Sequence, residues 1–132
     1  MAKGVILCVD DETIILESLQ EQLERHFGSG YLYEIAENAE EGLEIIEELT
    51  ADGIKILIIV SDWLMPGIKG DDFLIRVHQK FPSIVKVLLT GQANEDAIKR
   101  AENEAELFAV IHKPWSDTEL FNIIKAGLKK NE

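Results

Sequence analysis

Five short, β-rich runs alternate with longer segments of helical periodicity, and this alternation limits the possible folds more than any other feature of the chain. The predicted strands are residues 5–9, 31–36, 56–61, 85–90 and 108–112. Three of them contain near-continuous apolar runs, which strands covered on both faces require. Strands that alternate with helices form a parallel sheet wrapped by helices. The pattern therefore predicts an α/β fold, a doubly wound five-stranded parallel sheet with helices on both faces.

Between the predicted strands, apolar residues recur every three or four positions, as they do in helices that bury one face. The five apolar stripes are Leu16, Leu19, Leu23 and Phe27; Ala39, Gly42, Leu43 and Ile46; Phe73, Val77 and Phe81; Ala97, Ile98, Ala101 and Ala105; and Leu120, Ile123, Ile124 and Leu128. Ser116 and Glu119 form a capping box before the last stripe. With no internal repeat and no linker, we expect one domain over residues 1–132 with its core at about 5–128.

Composition excludes several kinds of protein. Cys8 is the only cysteine, so an internal disulfide and a cysteine-based zinc site are both impossible. The formal charge of -12 argues against direct binding to nucleic acid, whose phosphates attract basic surfaces. No run of about 18 apolar residues and no secretory leader is present, so the sequence predicts a cytoplasmic protein without membrane contact.

Polar residues stand where the predicted strands end. Asp10 and Asp11 follow the first strand, Asp62 follows the third, Thr90 closes the fourth and Lys113 follows the fifth. In doubly wound sheets the ligand crevice lies beyond the carboxyl ends of the strands, so these side chains should converge. A single aspartate at a strand end is more often a helix cap or turn residue, but five such groups at one edge indicate a site.

Such a cluster favours a bound cation. Like charges about 4 Å apart repel by roughly 4 kcal/mol at an effective dielectric near 20. A ligand set made only of oxygen atoms favours a hard divalent ion such as Mg²⁺, or Mn²⁺ in its place. Beside such an ion, a carboxylate oxygen of Asp62 could attack a phosphoryl group and form an acyl phosphate. Lys113 could then hold a phosphoryl oxygen, and Thr90 could donate a hydrogen bond.

These residues belong to the pattern D-D, D-x-x-M-P-x-x-x-G, T-G and K-P-W, which resembles the response-regulator receiver domain over about residues 5–128. The resemblance implies that Asp62 is the phosphoacceptor, that Thr90 is the signalling hydroxyl and that Lys113 is the phosphate-binding lysine. It also implies the flavodoxin-like strand order 2-1-3-4-5, for which such a receiver is itself a standard example. Pro114 resembles the cis-proline that follows this lysine in the family.

The resemblance also assigns a metal site. Asp11 looks like a direct Mg²⁺ ligand, Asp10 like a ligand that acts largely through water, and Leu64 like a ligand through its backbone carbonyl. Asp62 completes the set. The position of Leu64 is often polar in such domains, and leucine cannot orient an attacking water, so slow loss of the phosphoryl group is expected.

Partners and output follow from the same resemblance. The phosphoryl donor would be a sensor histidine kinase or a phosphotransfer protein. The output would pass through the face formed by the fourth helix, fifth strand and fifth helix to an effector domain, an output protein or a second copy in a homodimer. Val110 stands where receivers commonly carry tyrosine or phenylalanine, and a stiff valine cannot act as the same aromatic gate.

Two other functions remain open at the level of sequence. A haloacid-dehalogenase-like phosphatase also uses an aspartate nucleophile and Mg²⁺, but its D-x-D motif would need aspartate where Leu64 stands. A pseudo-receiver that only binds partners is disfavoured because the acidic, hydroxyl and lysine positions are all filled. The leading hypothesis is therefore a switch, with no turnover enzyme activity beyond its own phosphorylation and slow dephosphorylation.

Overall fold

The computed structural model describes residues 2–92 and 94–131, and it contains the five predicted strands and five predicted helices. The strands are β1 (Val5–Val9), β2 (Leu32–Ala36), β3 (Ile56–Asp62), β4 (Val85–Thr90) and β5 (Ala109–His112). The helices are α1 (Thr13–Phe27), α2 (Ala39–Ala51), α3 (Gly70–Lys80), α4 (Glu95–Ala105) and α5 (Asp117–Lys130), and a 3-10 turn, Gly28–Gly30, follows α1.

Three strand boundaries differ from the predicted ones by a single residue. Tyr31 ends the 3-10 turn and lies outside β2, and Phe108 precedes β5, although its backbone N–H donates to Lys86 O at 2.8 Å. At the other boundary β3 is longer than predicted, because Asp62 still pairs with Leu89 of β4. Asp62 is therefore held by the sheet itself.

All neighbouring strands are parallel, in the order β2-β1-β3-β4-β5. This confirms the predicted α/β architecture and strand order. Because β1 and β3 are neighbours, with Val9 paired to Ser61, the residues that follow these two strands lie side by side at one edge of the sheet. That edge is where the predicted site residues are located.

Two apolar layers cover the sheet, one on each face. On β1, Val5, Leu7 and Val9 point into the layer that contains the buried residues of α2, α3 and α4. Ile6 and Cys8 point into the layer that contains those of α1 and α5. Full burial of each large aliphatic side chain contributes about 1.5–3 kcal/mol, so both faces of the central strands stabilise the fold.

Side-chain caps fix the starts of three helices. Asn38 accepts a hydrogen bond from Glu41 N at 2.8 Å before α2, Asn94 accepts from Ala97 N before α4, and Ser116 accepts from Glu119 N at 3.0 Å before α5. The predicted cap on the last helix is thus present. None of the helices in the described ranges combines the length and apolar character that crossing a lipid bilayer requires.

Candidate functional site

Three aspartates meet at the carboxyl ends of β1 and β3. One carboxylate oxygen from each of Asp10, Asp11 and Asp62 lies within 4.8 Å of the other two. Asp10 is fully buried and Asp62 is 4 % exposed, whereas Asp11 faces solvent. The acidic residues that the sequence placed at two separate strand ends are therefore in one cluster.

Lys113 enters this cluster from the end of β5. Its Nζ lies 2.9 Å from Asp10 Oδ2 and 3.1 Å from Asp62 Oδ1. Its backbone N–H donates to Thr90 O at 2.8 Å, and the Lys113–Pro114 peptide bond is cis, as in the family that the sequence resembles. Burial opposes the charge on the ammonium, but hydrogen bonds and attraction from Asp10 and Asp62 outweigh burial and raise the pKa of Lys113.

The carboxyl group of Asp62 is in an unfavourable position for a negative charge. Burial, and then repulsion from Asp10 and Asp11, raise its pKa from 3.8 to about 6, although Lys113 attracts the charged form. One ammonium group is therefore not sufficient to compensate three carboxylates. A divalent cation fits this donor set, because hard cations prefer oxygen ligands and would reduce the remaining repulsion.

Glu12 is a site residue to which the sequence assigned no role. Its backbone N–H donates to Asp10 Oδ1 at 2.8 Å, and its side-chain Oε1 lies 3.8 Å from Lys113 Nζ. The signal for it was its place directly after the aspartate pair. It adds a fourth negative charge at the rim of the site.

Thr90 lies at the same edge of the sheet, but its hydroxyl is hydrogen-bonded within its own loop. It donates to Gln92 O at 2.5 Å and accepts from Gln92 N at 3.1 Å. Thr90 is 3 % exposed, so this pairing satisfies a buried polar group. The hydroxyl must leave the carbonyl of Gln92 before it can donate to any group bound at Asp62.

The chain after Asp62 packs closely against the start of α3. Gly70 N donates to Trp63 O at 2.8 Å, and a Cβ at Gly70 would come within 2.1 Å of Asp62 O. Gly67 has φ of 79°, a conformation that favours glycine. The side chains of Trp63 and Met65 are buried while Leu64 is 47 % exposed, so the loop leaves its apolar Leu64 side chain beside the site.

A cavity of about 150 Å³ opens in front of Asp62. Its walls include Leu64, Thr90, Gln92 and Lys113. The nucleophilic oxygen, an ammonium group and a hydroxyl thus border one small polar space that a phosphoryl group could enter. That combination suits attack of a carboxylate on phosphorus, with positive charge close to the oxygens of the incoming group.

Comparison with known proteins gives a consistent result. The model of the family described as "Response regulator receiver domain" matches residues 6–125. The chain is 26% identical to the hydrogenase transcriptional regulatory protein HoxA of Cupriavidus necator over 96% of its own length and 24% of HoxA, so it spans about a quarter of that relative.

Among solved structures, it is similar to the signal receiver domain of an HD domain-containing protein from Pseudomonas fluorescens (TM-score 0.85, 31% identity, 97% of this chain and 96% of that one). It is also similar to a response regulator receiver domain protein (CheY-like) from Methanospirillum hungatei, with a TM-score of 0.85 and 33% identity over 97% of this chain and 95% of that one.

Proposed function

Because the chain belongs to the response regulator receiver domain family, we propose that it is a phosphorylation switch in which Asp62 accepts a phosphoryl group within a two-component pathway. The observation that carries this proposal is the placement of Asp62 beside two further aspartates and 3.1 Å from Lys113. No other carboxylate of the described residues combines an acidic cluster, a lysine and a cavity. The role of switch distinguishes it from a phosphatase that turns over substrates.

The proposed transfer is a displacement at phosphorus. An oxygen of Asp62 attacks the phosphorus of a phosphohistidine on a sensor kinase or phosphotransfer protein, and the P–N bond breaks as the P–O bond forms. The imidazole nitrogen keeps the electron pair of the broken bond. Lys113 is charged, and its ammonium lies 3.1 Å from Asp62 Oδ1. As the phosphoryl group arrives, the ammonium attracts the phosphoryl oxygens and its attraction to Asp62 weakens.

Magnesium or manganese would be held by Asp10, Asp11, Asp62 and, by family resemblance, the backbone carbonyl of Leu64. When bound, the ion supplies positive charge that neutralises the phosphoryl oxygens as charge shifts during transfer. The protein's part is to favour the ionised form of Asp62 through Lys113, which opposes the rise in its pKa, and to place Asp62 in the wall of the cavity. Leu64 has no polar side-chain group to orient water, so we expect the acyl phosphate to hydrolyse slowly.

The switch would act through Thr90 and α4. We expect the Thr90 hydroxyl to exchange the carbonyl of Gln92 for a phosphoryl oxygen, which moves the loop before α4. The fully buried side chains of α4 are alanines, so little bulky apolar area holds this helix in place, and the ion pairs of Arg100 with Asp71 and Asp72 of α3 would have to adjust when it shifts. Val110 is half-buried on β5 and is too small to act as an aromatic gate, so the change is expected to be read on the α4, β5 and α5 face by an effector, an output protein or a second copy.

Labelling with a small phosphodonor tests the central claim. Incubation with acetyl phosphate and Mg²⁺ should add one phosphoryl group to Asp62, as seen in the intact mass and in hydroxylamine-sensitive peptide mapping. Asp62→Asn should abolish labelling, and Asp11→Asn should reduce it strongly by weakening Mg²⁺ binding. Asp52→Asn, which changes an exposed aspartate at the end of α2, is the matched control and should label like the wild type.

Three results would contradict the proposal. Labelling of Asp10 or of a histidine in the wild type would mean that the acceptor is wrong. Equal labelling of the wild type and Asp11→Asn would mean that the metal site is wrong. A folded wild type that takes up no phosphoryl group from acetyl phosphate or from any phosphohistidine donor would favour a pseudo-receiver that only binds partners.

The output claim has its own readout. On activation by beryllofluoride, the largest NMR shift changes away from Asp62 should occur at Gly91, Gln92 and α4. Thr90→Ala should reduce these changes while labelling of Asp62 persists. Changes that stay in the loop after Asp62, or that Thr90→Ala leaves unaltered, would show that the signal does not pass through the threonine.

A further inference from the structure

A second cavity lies at the opposite end of the sheet from Asp62, where β4 begins. Its volume is about 240 Å³, and it lies between the start of β4, the end of α5 and the segment between α4 and β5. Its walls combine Pro82, Ser83, Lys86, Glu106, Phe108 and Lys130. The proposed phosphorylation chemistry does not use this cavity, which borders the α4, β5 and α5 face at Glu106 and Lys130.

Lys86 is the unusual feature of this cavity. It interrupts the apolar β4 strand and is only 2 % exposed. Its Nζ lies 2.9 Å from His78 Nδ1 and 3.4 Å from Pro82 O, neither of which carries a negative charge. Among the described residues, no carboxylate oxygen is within ion-pair distance of this ammonium, and an ammonium group has three protons to donate.

Among the described residues that line the cavity, the charged side chains leave a net positive charge. Lys86 and Lys130 contribute two positive charges, and Glu106 contributes one negative charge. One further negative charge would therefore make the surroundings neutral, whereas two would leave an excess. Lys130 lies 5.5 Å from the centre of the Phe108 ring, and Ile84 and Val85 complete apolar walls. A ligand with one charge and an apolar portion matches these walls.

We propose that this cavity binds a small organic monocarboxylate, whose carboxylate accepts a hydrogen bond from the Lys86 ammonium and whose apolar part contacts Phe108 and Pro82. The hydroxyl of Ser83 and the ammonium of Lys130 stand at the cavity wall as further donors. A carboxylate would give Lys86 the counter-charge that the fold itself does not place beside it. Charge-assisted hydrogen bonds of this kind are about twice as strong as neutral ones.

The protonation of Lys86 agrees with this geometry. Burial lowers its pKa from 10.5 to about 8, and Lys130 acts in the same direction, while Glu106 opposes them. Among the described residues, His78 faces the ammonium from α3, beside Glu106 after α4 and Lys130 on α5. Binding of an anion would favour the protonated amine, and raising the pH through this range should therefore weaken binding.

Titration of the protein with butyrate and with benzoate, followed by NMR, tests the proposal. Saturable shifts are expected for the His78 ring and for Phe108. Lys86→Met should weaken the affinity by about tenfold or more, and Lys130→Gln should weaken it less. Lys99→Met removes an exposed lysine of α4 and should leave the affinity unchanged.

Raising the pH from about 7 to about 9.5 should reduce the affinity of the wild type but not the residual affinity of Lys86→Met.

Four outcomes would overturn the proposal. These are the absence of saturable shifts with either carboxylate, equal affinity in the wild type and Lys86→Met, tighter binding of inorganic phosphate than of both carboxylates, and an affinity that does not fall with pH. Lys130→Gln changes an exposed side chain that lines the cavity, so if Lys86→Met fails to fold, equal affinity in the wild type and Lys130→Gln overturns the proposal.

Discussion

The two ends of the sheet each hold a lysine that is removed from most of the solvent, and the two lysines have opposite electrostatic surroundings. Lys113, at the carboxyl ends of the strands, contacts the carboxylates of Asp10 and Asp62. Lys86, at the start of β4, contacts a histidine ring and a backbone carbonyl. The pKa of Lys113 is raised, while that of Lys86 is lowered to about 8.

The difference shows that the groups in contact with a buried lysine, and not burial alone, decide whether its pKa is raised or lowered. Burial lowers the pKa of both lysines and is the largest influence on each. At Lys113 two carboxylates reverse that effect. At Lys86 only the more distant Glu106 opposes it. A buried charge without a close counter-charge costs several kcal/mol, so only the Lys113 end has offset most of that cost.

At the carboxylate-rich end, the electrostatic arrangement is unfavourable without a ligand and would become more favourable when a cation binds. Asp62 keeps an unfavourable charge there, since burial and Asp10 raise its pKa to about 6. That stored repulsion is the free energy that a bound cation would release. The comparison between the two ends therefore predicts three different responses to substitution.

Removal of the lysine at the acidic end should have the largest effect. Lys113→Met leaves Asp10 and Asp62 buried without their ammonium partner, and breaking a buried pair costs about 3–5 kcal/mol. Because the site opens to solvent, we expect a loss of about 2–4 kcal/mol in the free energy of unfolding at neutral pH without divalent ions. Urea denaturation measures it.

The loss should shrink on acidification, because protonation of Asp62 removes one of the charges that Lys113 neutralises. Lys125→Met, an exposed position on α5, is the control and should change stability little. If Lys113→Met lowers the free energy of unfolding no more than the control does, the contrast between the two lysines is wrong, because Lys113 would then not compensate the charges of Asp10 and Asp62.

Replacing the phosphoacceptor carboxylate should have the next largest effect, and in the opposite direction. The rise in the pKa of Asp62 from 3.8 to about 6 corresponds to about 3 kcal/mol of penalty when the group is charged. Between these pH values the native state binds more protons than the unfolded state, so wild-type stability should fall as the pH rises through the window.

Asp62→Asn removes this dependence. In the presence of a chelator it should be about 1–3 kcal/mol more stable than the wild type at pH 7, with the gain shrinking toward pH 4. Denaturation at several pH values measures the difference. Equal stability of the two proteins at pH 7 would show that Lys113 fully compensates Asp62, and the contrast between the two ends would then be sharper than described.

The helices and strands could be predicted almost completely because the signals for them are local, whereas the strand order came from the resemblance to the receiver family. Helical periods of three to four residues alternate with near-continuous apolar runs along the chain, and these runs show that both faces of the sheet are covered. The error at the end of β3 arises from a contact that is not local in the sequence. Asp62 reads as a residue after β3, but its backbone pairs with Leu89, and that cross-strand contact is not encoded in the neighbouring residues.

The site could be predicted in outline for a different reason. Parallel strands end at one edge, so Asp10, Asp62 and Lys113 had to approach one another once the strand order was given. The direction of a hydroxyl was not predictable in this way. Thr90 donates to Gln92 O in its own loop, and that choice depends on a loop conformation without any periodic pattern.

The partner of Lys86 was equally inaccessible to sequence reasoning. A lysine within an apolar strand is visible in the sequence, but its contact with His78 depends on how the end of α3 lies across β4. The clamp in which Arg100 of α4 bonds to Asp71 and Asp72 of α3 is a similar case, because these charges are ordinary surface residues when read singly. Contacts between helices need the packed structure.

Removal of the lysine at the opposite end should have the smallest effect, and it should stabilise the protein. Lys86→Met replaces a buried ammonium by an apolar chain of similar length, and the lowered pKa of Lys86 corresponds to a penalty of about 3 kcal/mol for the charged group. The gain is reduced because His78 Nδ1 and Pro82 O lose a donor. We therefore expect about 1–2 kcal/mol at pH 7, measured by urea denaturation in a buffer without carboxylates.

The pH dependence separates this cause from simple repacking. The pKa of Lys86 is lowered from 10.5 to about 8, so in this window the unfolded state binds more protons than the native state, and wild-type stability from this group should rise with pH. The advantage of Lys86→Met should accordingly be constant below about pH 8 and disappear toward pH 10.5. If Lys86→Met remains more stable than the wild type at high pH, methionine simply packs better. If Lys86→Met is less stable than the wild type at pH 7, the contacts to His78 and Pro82 outweigh the cost of the buried charge. Only a gain that vanishes with deprotonation supports the view that the two lysines differ because one has carboxylate partners and the other has none.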